Sequence, residues 1–307
     1  MLVVIALGGN ALLRRDQSLT AENQRENARI AALALAEVVR AGHDLVVTHG
    51  NGPQVGLLAL QGMAYKPDET YPLDMMGAET EGMIGYLIEQ ELENALNHDR
   101  TVASLLTQVR VDPDDPAFAS PTKFVGPVYE RDEAERVAER HGWSIAQDGK
   151  KWRRVVPSPA PVEIPDLKVI RLLLLHGTIV ICAGGGGIPV IANPDGRLTG
   201  IEAVIDKDAT SALLADGLGA DALLLLTDVD GVYRGFGTDA SERIERLAPE
   251  EARALDLPAG SMGPKIEAAA RFANGGSSRM AGIGRLAAAL AILEGDAGTR
   301  IAAAESD

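Results

Sequence analysis

Six short aliphatic runs punctuate this 307-residue chain: LVVIAL (2–7), HDLVVTH (43–49), TVASLLTQVRV (101–111), TIVICA (178–183), DALLLLTDV (221–229) and SRMAGIG (278–284). Several lack the apolar–polar alternation of a half-exposed strand, so they read as strands covered on both faces, the pattern of a parallel sheet. Helical stretches separate them. The clearest, residues 20–42, has Thr20 placed to cap its start and Gly42 to close its end. The β–α–β rhythm predicts an α/β fold, a three-layer αβα sandwich around a central, mainly parallel sheet, with ligands at the carboxyl ends of its strands.

Charge narrows the choice of ligand. A formal net charge of −15 argues against a nucleic-acid partner, because such binding rests on cations that neutralise the phosphate backbone. A small anion would need a local concentration of positive groups against that field. The single cysteine, Cys182, sits in an apolar run and reads as a small buried hydrophobe, which suits a reducing cytoplasm. The opening run before Gly8-Gly9 is too short for a signal peptide, and LLLLHGTIVICA falls short of a membrane span. A cytoplasmic protein without a membrane partner is expected.

One segment breaks the rhythm. Residues 112–165 are rich in proline and charge, from DPDDPAFASPTKFVGP to KKWRRVVPSPAPVEIP, and read as an inserted subdomain or lid rather than core.

Glycines gather where strands end: Gly8-Gly9-Asn10, Gly50-Asn51-Gly52 and the run Gly184–Gly187. Such turns let backbone N–H groups approach an anion, above all where a helix begins. No G-x-x-x-x-G-K-[ST] motif occurs, which excludes a P-loop. A dinucleotide-binding turn at the tetraglycine is the rival reading. It meets Pro189 where a third glycine is required, and VIANPDGRL where a helix should follow.

Lysine is scarce, at 7 of 29 basic residues, and three lysines hold suggestive places. Lys207 stands between Asp206 and Asp208, after the run EAVI and before a helix, at an expected strand-to-helix junction. Lys265 follows a Gly-Pro turn at a helix start, and Lys123 lies in the insertion. Asp206 and Asp208 would orient Lys207 and Lys265 or ligate Mg²⁺, and an ammonium between carboxylates is expected to stay charged. The five histidines show no metal-ligand spacing, and no G-x-S-x-G elbow occurs. Glycine turns, lysines and aspartates without a covalent nucleophile suit direct phosphoryl transfer, where catalysis is alignment and charge neutralisation.

TDVDGVY (227–233) resembles the nucleotide-side signature of the amino-acid kinase superfamily. The blocks IALGGNAL, THGNGPQVG, YPLDMMGAETEGMIGY, SPTKFVGP, WRRVVPSP, ICAGGGGIPV, EAVIDKD and GSMGPKIEAA resemble the carbamate kinases in order and content. Acetylglutamate-kinase-like relatives carry a lysine on the first strand; here VVIALGG has none.

The resemblance implies reversible phosphoryl transfer between carbamoyl phosphate and ADP. It implies the amino-acid kinase fold as one domain, a substrate half at about 1–177 and a nucleotide half at about 178–307, with the 112–165 insertion as lid. Gly8, Gly9, Asn10, Gly50, Asn51 and Gly52 would bind carbamoyl phosphate. Lys207 and Lys265 would bridge to the nucleotide phosphates, organised by Asp206 and Asp208, and Lys123 would reach the phosphoryl group from the insertion. Asp228, Tyr233, Met262 and Gly263 would line the nucleotide site. Mg²⁺, held mainly by nucleotide phosphates, and a homodimer are implied too. Phe124 and Lys151 stand where the family pattern has proline and glycine. Two alternatives stay open: another kinase of the superfamily acting on a carboxylate or small phosphate, and a non-catalytic sensor.

Overall fold

The unbroken apolar runs lie side by side at the centre of the molecule. The computed structural model describes residues 1–9, 13, 17–66, 71–238, 240–257 and 262–303. The chain begins with β1 (Leu2–Leu7), α1 (Ala21–Arg40), β2 (Asp44–His49), α2 (Gly52–Tyr65), α3 (Leu73–Ala95), β3 (Val102–Ser104) and β4 (Gln108–Val111). Then come β5 (Lys123–Tyr129), α4 (Arg131–His141), β6 (Ser144–Asp148), β7 (Lys151–Val156), β8 (Pro161–Glu163) and α5 (Leu167–Leu175). Next are β9 (Ile179–Ile181), β10 (Ile188–Ala192), β11 (Leu198–Gly200), α6 (Lys207–Leu218) and β12 (Ala222–Thr227). The remainder is β13 (Val232–Arg234), β14 (Glu242–Ile244), β15 (Arg246–Leu247), α7 (Pro249–Arg253), α8 (Met262–Ala273), β16 (Met280–Arg285), α9 (Ala289–Glu294) and β17 (Thr299–Ala302).

Among the described residues the largest sheet has eight strands in the order β15-β17-β16-β12-β1-β2-β9-β3. Only the β16–β17 pairing is antiparallel within it. Ile5 stands level with Leu224 on one side and Val47 on the other. Alternate residues face opposite layers. Val3, Ile5 and Leu7 pack with Leu35 of α1, Ile84 and Ile88 of α3 and Ile292 of α9. Val4 and Ala6 pack with Leu214 of α6 and Phe272 of α8. This is the expected αβα sandwich. Burying each large aliphatic side chain contributes about 1.5–3 kcal/mol, which explains why these strands carry no polar face.

The cap on α1 forms as expected: Thr20 accepts from the Asn23 N–H at 3.2 Å, and Gly42, at φ +89°, turns the chain away. Two expectations fail. The run 101–111 is two strands in different sheets. β3 edges the main sheet, whereas β4 joins a second sheet in the order β11-β10-β4-β8. The break falls at Thr107, whose backbone N–H goes to Glu81 and whose hydroxyl accepts from Ala183 N–H, drawing the chain off the first sheet. The run EAVI is not a strand either. It lies as extended loop, with Ala203 and Ile205 buried and the Val204 N–H bonded to the Pro157 carbonyl.

Residues 123–156 form a unit of their own, the antiparallel sheet β5-β7-β6 with α4 against it. Val125 and Val156 of this unit pack on Val55, Leu73 and Met76 of α2 and α3. Arg154 pairs with Glu202 at 2.7 Å on the same seam.

Candidate active site

The segment Asp206–Asp208 opens α6. Asp206 caps the helix, its Oδ1 accepting from the N–H groups of Asp208 (2.9 Å) and Ala209 (3.2 Å). That fixes Lys207 at the first helical position and turns Asp208 inward, where it is 4 % exposed. Asp208 then holds two ammonium groups at once. Lys207 Nζ donates to Oδ1 at 2.6 Å, and Lys265 Nζ, from the first turn of α8, donates to Oδ2 at 2.8 Å. Burial acts to raise Asp208, but the two flanking cations overturn it and hold the carboxyl well below the usual carboxylate range. Burial lowers Lys207, and Lys265 adds to that, while Asp208 and Asp206 pull the other way. Lys123 arrives from β5 and donates to Asp206 Oδ2 at 2.8 Å, with both side chains partly exposed.

All five residues border one cavity of about 900 Å³, which Gly9, Gly50, Asn51 and Gly52 also line. A Cβ added at Gly9 or Gly52 would meet nothing within 4 Å, so the bare backbone there faces open space. α2 starts at Gly52 with Asn51 in the cap position, yet Asn51 does not cap it. Its Nδ2 donates instead to Thr80 Oγ1 at 2.9 Å. The uncapped start of α2, with its partial positive charge, is a place for an anion.

The other expected residues are placed differently. Asn10 lies outside the described residues. Gly8 donates its N–H to Leu226 O, and an added Cβ would sit 2.8 Å from that oxygen, so this glycine serves close strand packing. Asp228, Tyr233, Met262 and Gly263 do not line the cavity, although Pro264 and Lys265 beside them do. Asp228 accepts from Thr227 Oγ1, Tyr233 donates to Asp230 at 2.8 Å, and Met262 packs against the core.

The tetraglycine works by packing. Gly185 and Gly186 hold φ values of +69° and +98°, and added Cβ atoms would lie 2.1 Å from Asn51 Nδ2 and 2.4 Å from Ile205 O. β10 follows these glycines, not the helix that a dinucleotide-binding turn requires.

Two buried titratable groups behind this turn escaped the sequence reading. Glu81 of α3, 1 % exposed, accepts from Gly184 N–H (2.7 Å) and Thr107 N–H (3.1 Å). Burial pushes its carboxyl up to about 8. His49, at the end of β2, is fully enclosed, and burial pulls it down to about 4, so it is neutral. A signal for Glu81 was available: it sits on the inward stripe of α3 with Met76, Thr80, Ile84 and Ile88, where an acid is out of place.

The amino acid kinase family profile matches residues 1–281. A carbamate kinase of Rhizobium meliloti is 55 % identical over all of this chain and 95 % of its own length. The carbamate kinase of Haemophilus influenzae is 54 % identical over 98 % of this chain and 96 % of its own. The chain belongs to the carbamate kinase family. Among solved structures, the carbamate kinase of Giardia lamblia bound to AMP-PNP superposes with a TM-score of 0.90 at 38 % identity, covering 99 % of this chain and 98 % of that one. This member of the family is therefore a phosphotransferase with the amino acid kinase fold. No described helix is long and apolar enough to cross a membrane.

Proposed function

We propose that the protein catalyses reversible phosphoryl transfer between carbamoyl phosphate and ADP, giving ATP and carbamate, which decomposes to ammonia and CO₂. One observation carries this reading: Lys123, Lys207 and Lys265 converge, through Asp206 and Asp208, on a single glycine-lined cavity. Two anionic substrates that repel each other can meet there because fixed cations offset their charge.

In the proposed reaction a β-phosphate oxygen of ADP attacks phosphorus as the P–O bond to the carbamate oxygen breaks, and the electron pair leaves with carbamate. Gly9, Gly50, Asn51 and Gly52 would hold the acyl phosphate; Lys207 and Lys265 would follow the moving phosphoryl group. Lysine suits this better than arginine, being a compact point charge on a long stem. Asp208 keeps both ammonium groups oriented while their remaining N–H bonds stay available for phosphate. Lys123 would add a third cation from the 123–156 unit, which acts as a lid and excludes water.

A direct transfer is favoured over a phospho-enzyme. Asp208, clamped between two cations, is a weak nucleophile, and His49 and Cys182 are walled off from solvent. Among the described residues no group of three or more His, Cys, Asp or Glu side chains is disposed to hold a metal ion. Asp206 and Asp208 are already neutralised by lysines, so Mg²⁺ fits as a part of the nucleotide substrate. On family resemblance the reading extends to a cytoplasmic homodimer.

The test is ATP formation from ADP and carbamoyl phosphate by wild type and Lys265→Ala. A rate for wild type lower by orders of magnitude with acetyl phosphate as donor supports the assignment. Preference for another acyl phosphate, or tight nucleotide binding without turnover, overturns it.

A further inference from the structure

Two glycine turns flank the cavity, and a single step of α3 grips both. Thr80 and Glu81 are sequence neighbours, each 1 % exposed. The Thr80 hydroxyl proton is engaged by the helix carbonyls of Met76 (2.8 Å) and Gly77 (3.0 Å). Its lone pair is therefore left to accept, which fixes the Asn51 side chain with its Nδ2 towards α3, at 2.9 Å. Glu81 takes the other turn, accepting Gly184 N–H at 2.7 Å and Thr107 N–H at 3.1 Å. The tetraglycine passes the constraint on, because Gly186 O accepts from Thr210 Oγ1 of α6 at 2.9 Å, one turn from Lys207. Gly185 itself rests against Asn51, so the two grips meet.

We propose that Thr80 and Glu81 are positioning residues that set the spacing between the acyl-phosphate turn at Gly50–Gly52 and the lysine-bearing start of α6. The proposal rests on the functional reading above. Thr80 acts through Asn51 and bears on how the acyl phosphate is held. Glu81 acts through the Gly184–Gly187 turn and bears on where Lys207 stands when the phosphoryl group moves. Neither touches a reacting atom.

Steady-state kinetics of ATP formation, with a thermal melt of each protein, tests this on wild type, Thr80→Val, Thr80→Ser, Glu81→Gln and Asn51→Ala. Thr80→Val is expected to raise the KM for carbamoyl phosphate about tenfold, as the loss of one buried hydrogen bond allows, and to leave the KM for ADP within about twofold. Thr80→Ser, which keeps the hydroxyl, restores it. Combining Thr80→Val with Asn51→Ala adds nothing to Asn51→Ala alone. Glu81→Gln cannot accept from both N–H groups, and is expected to lower kcat about 10- to 100-fold with both KM values near wild type, the signature of a displaced catalytic group. Should Thr80→Val not fold, Thr80→Ala is read in its place.

Lower melting temperatures with unchanged kinetics would make the two residues merely structural and overturn the proposal. So would an equal rise in both KM values, or full additivity with Asn51→Ala. A wild-type protein that makes no ATP removes the functional reading first, and the inference with it; an active wild type beside unaffected variants removes the inference alone.

Discussion

The same cavity holds two kinds of ion pair. Asp208 with Lys207 and Lys265 is enclosed, the three side chains being 6–12 % exposed, and all three groups stand on helices packed against the main sheet. Lys123 with Asp206 is open to water at 37 % and 27 %, and joins the 123–156 unit to the rest of the molecule. Desolvated charges interact strongly and their geometry is fixed, whereas exposed ones are weakened by water and salt. The first arrangement fits a permanent part of the machinery. The second fits a charge delivered by a proposed lid, a contact that forms and breaks within a catalytic cycle.

The comparison breaks most readily at the enclosed lysines. Lys207→Ala and Lys265→Ala should each slow ATP formation by about 10²–10³, the usual loss for one preorganised charge-stabilising group. Arginine at either position should not restore the rate, since its planar fork cannot occupy the same point. If either alanine variant keeps its rate, that lysine serves structure alone.

Asp208→Asn separates stability from rate. It leaves two buried ammonium groups without their shared counter-charge, and breaking such a pair costs roughly 3–5 kcal/mol. The sign with pH follows from a carboxyl depressed below its ordinary 3.8. Its contribution is fully present above that value and is lost as pH falls through the lower folded one. The gap between wild type and Asp208→Asn, read from denaturant melts, should be widest near neutrality and should narrow only below about pH 4. A gap independent of pH would mean that Asp208 is held by packing, not by the two cations.

What could be read in advance and what could not follows the range of the interactions. The sheet was legible because β1 and β12 run almost wholly apolar on both faces, and β2 does so through Leu45–Val47, a property each strand carries within its own six residues. The lysines were legible from their scarcity and from the aspartates beside Lys207. The break at Thr107 was not, because the groups that draw it from the sheet lie 26 and 76 residues away. The run EAVI looked like a strand for a similar reason: apolar residues buried in a loop have the composition of a strand without its partners. Asp228, Tyr233, Met262 and Gly263 were placed by resemblance, and this cavity does not gather them.

Salt sharpens the contrast between the pairs. Lys123→Ala should lower the rate about tenfold in dilute buffer, less than either enclosed lysine, because solvent already screens its partner. Raising ionic strength towards 1 M, where the screening length falls to about 3 Å, should slow wild type towards this variant. Lys265→Ala should show no comparable convergence. If Lys123→Ala falls as far as Lys265→Ala and ignores salt, the outer cation is as fixed as the inner ones, and the distinction fails.

The smallest effect is expected at the far side of the same unit. Arg154 lies over the Trp143 ring at 4.4 Å and reaches across to Glu202 at 2.7 Å. Glu202 in turn accepts the Leu73 N–H at the start of α3, so one carboxylate ties the 123–156 unit to the helix that carries Thr80 and Glu81. Glu202 is nearly half exposed, and pairs of this kind contribute at most about 1 kcal/mol. The apolar contact of Val125 and Val156 with Val55, Leu73 and Met76 must then hold most of the seam. Glu202→Gln should therefore speed amide exchange within residues 123–156 by no more than about fivefold. Val156→Ala, which empties part of the buried seam, should speed it considerably more. The reverse order would make the ion pair the true fastening, and closure of the unit would then depend on salt at both its edges.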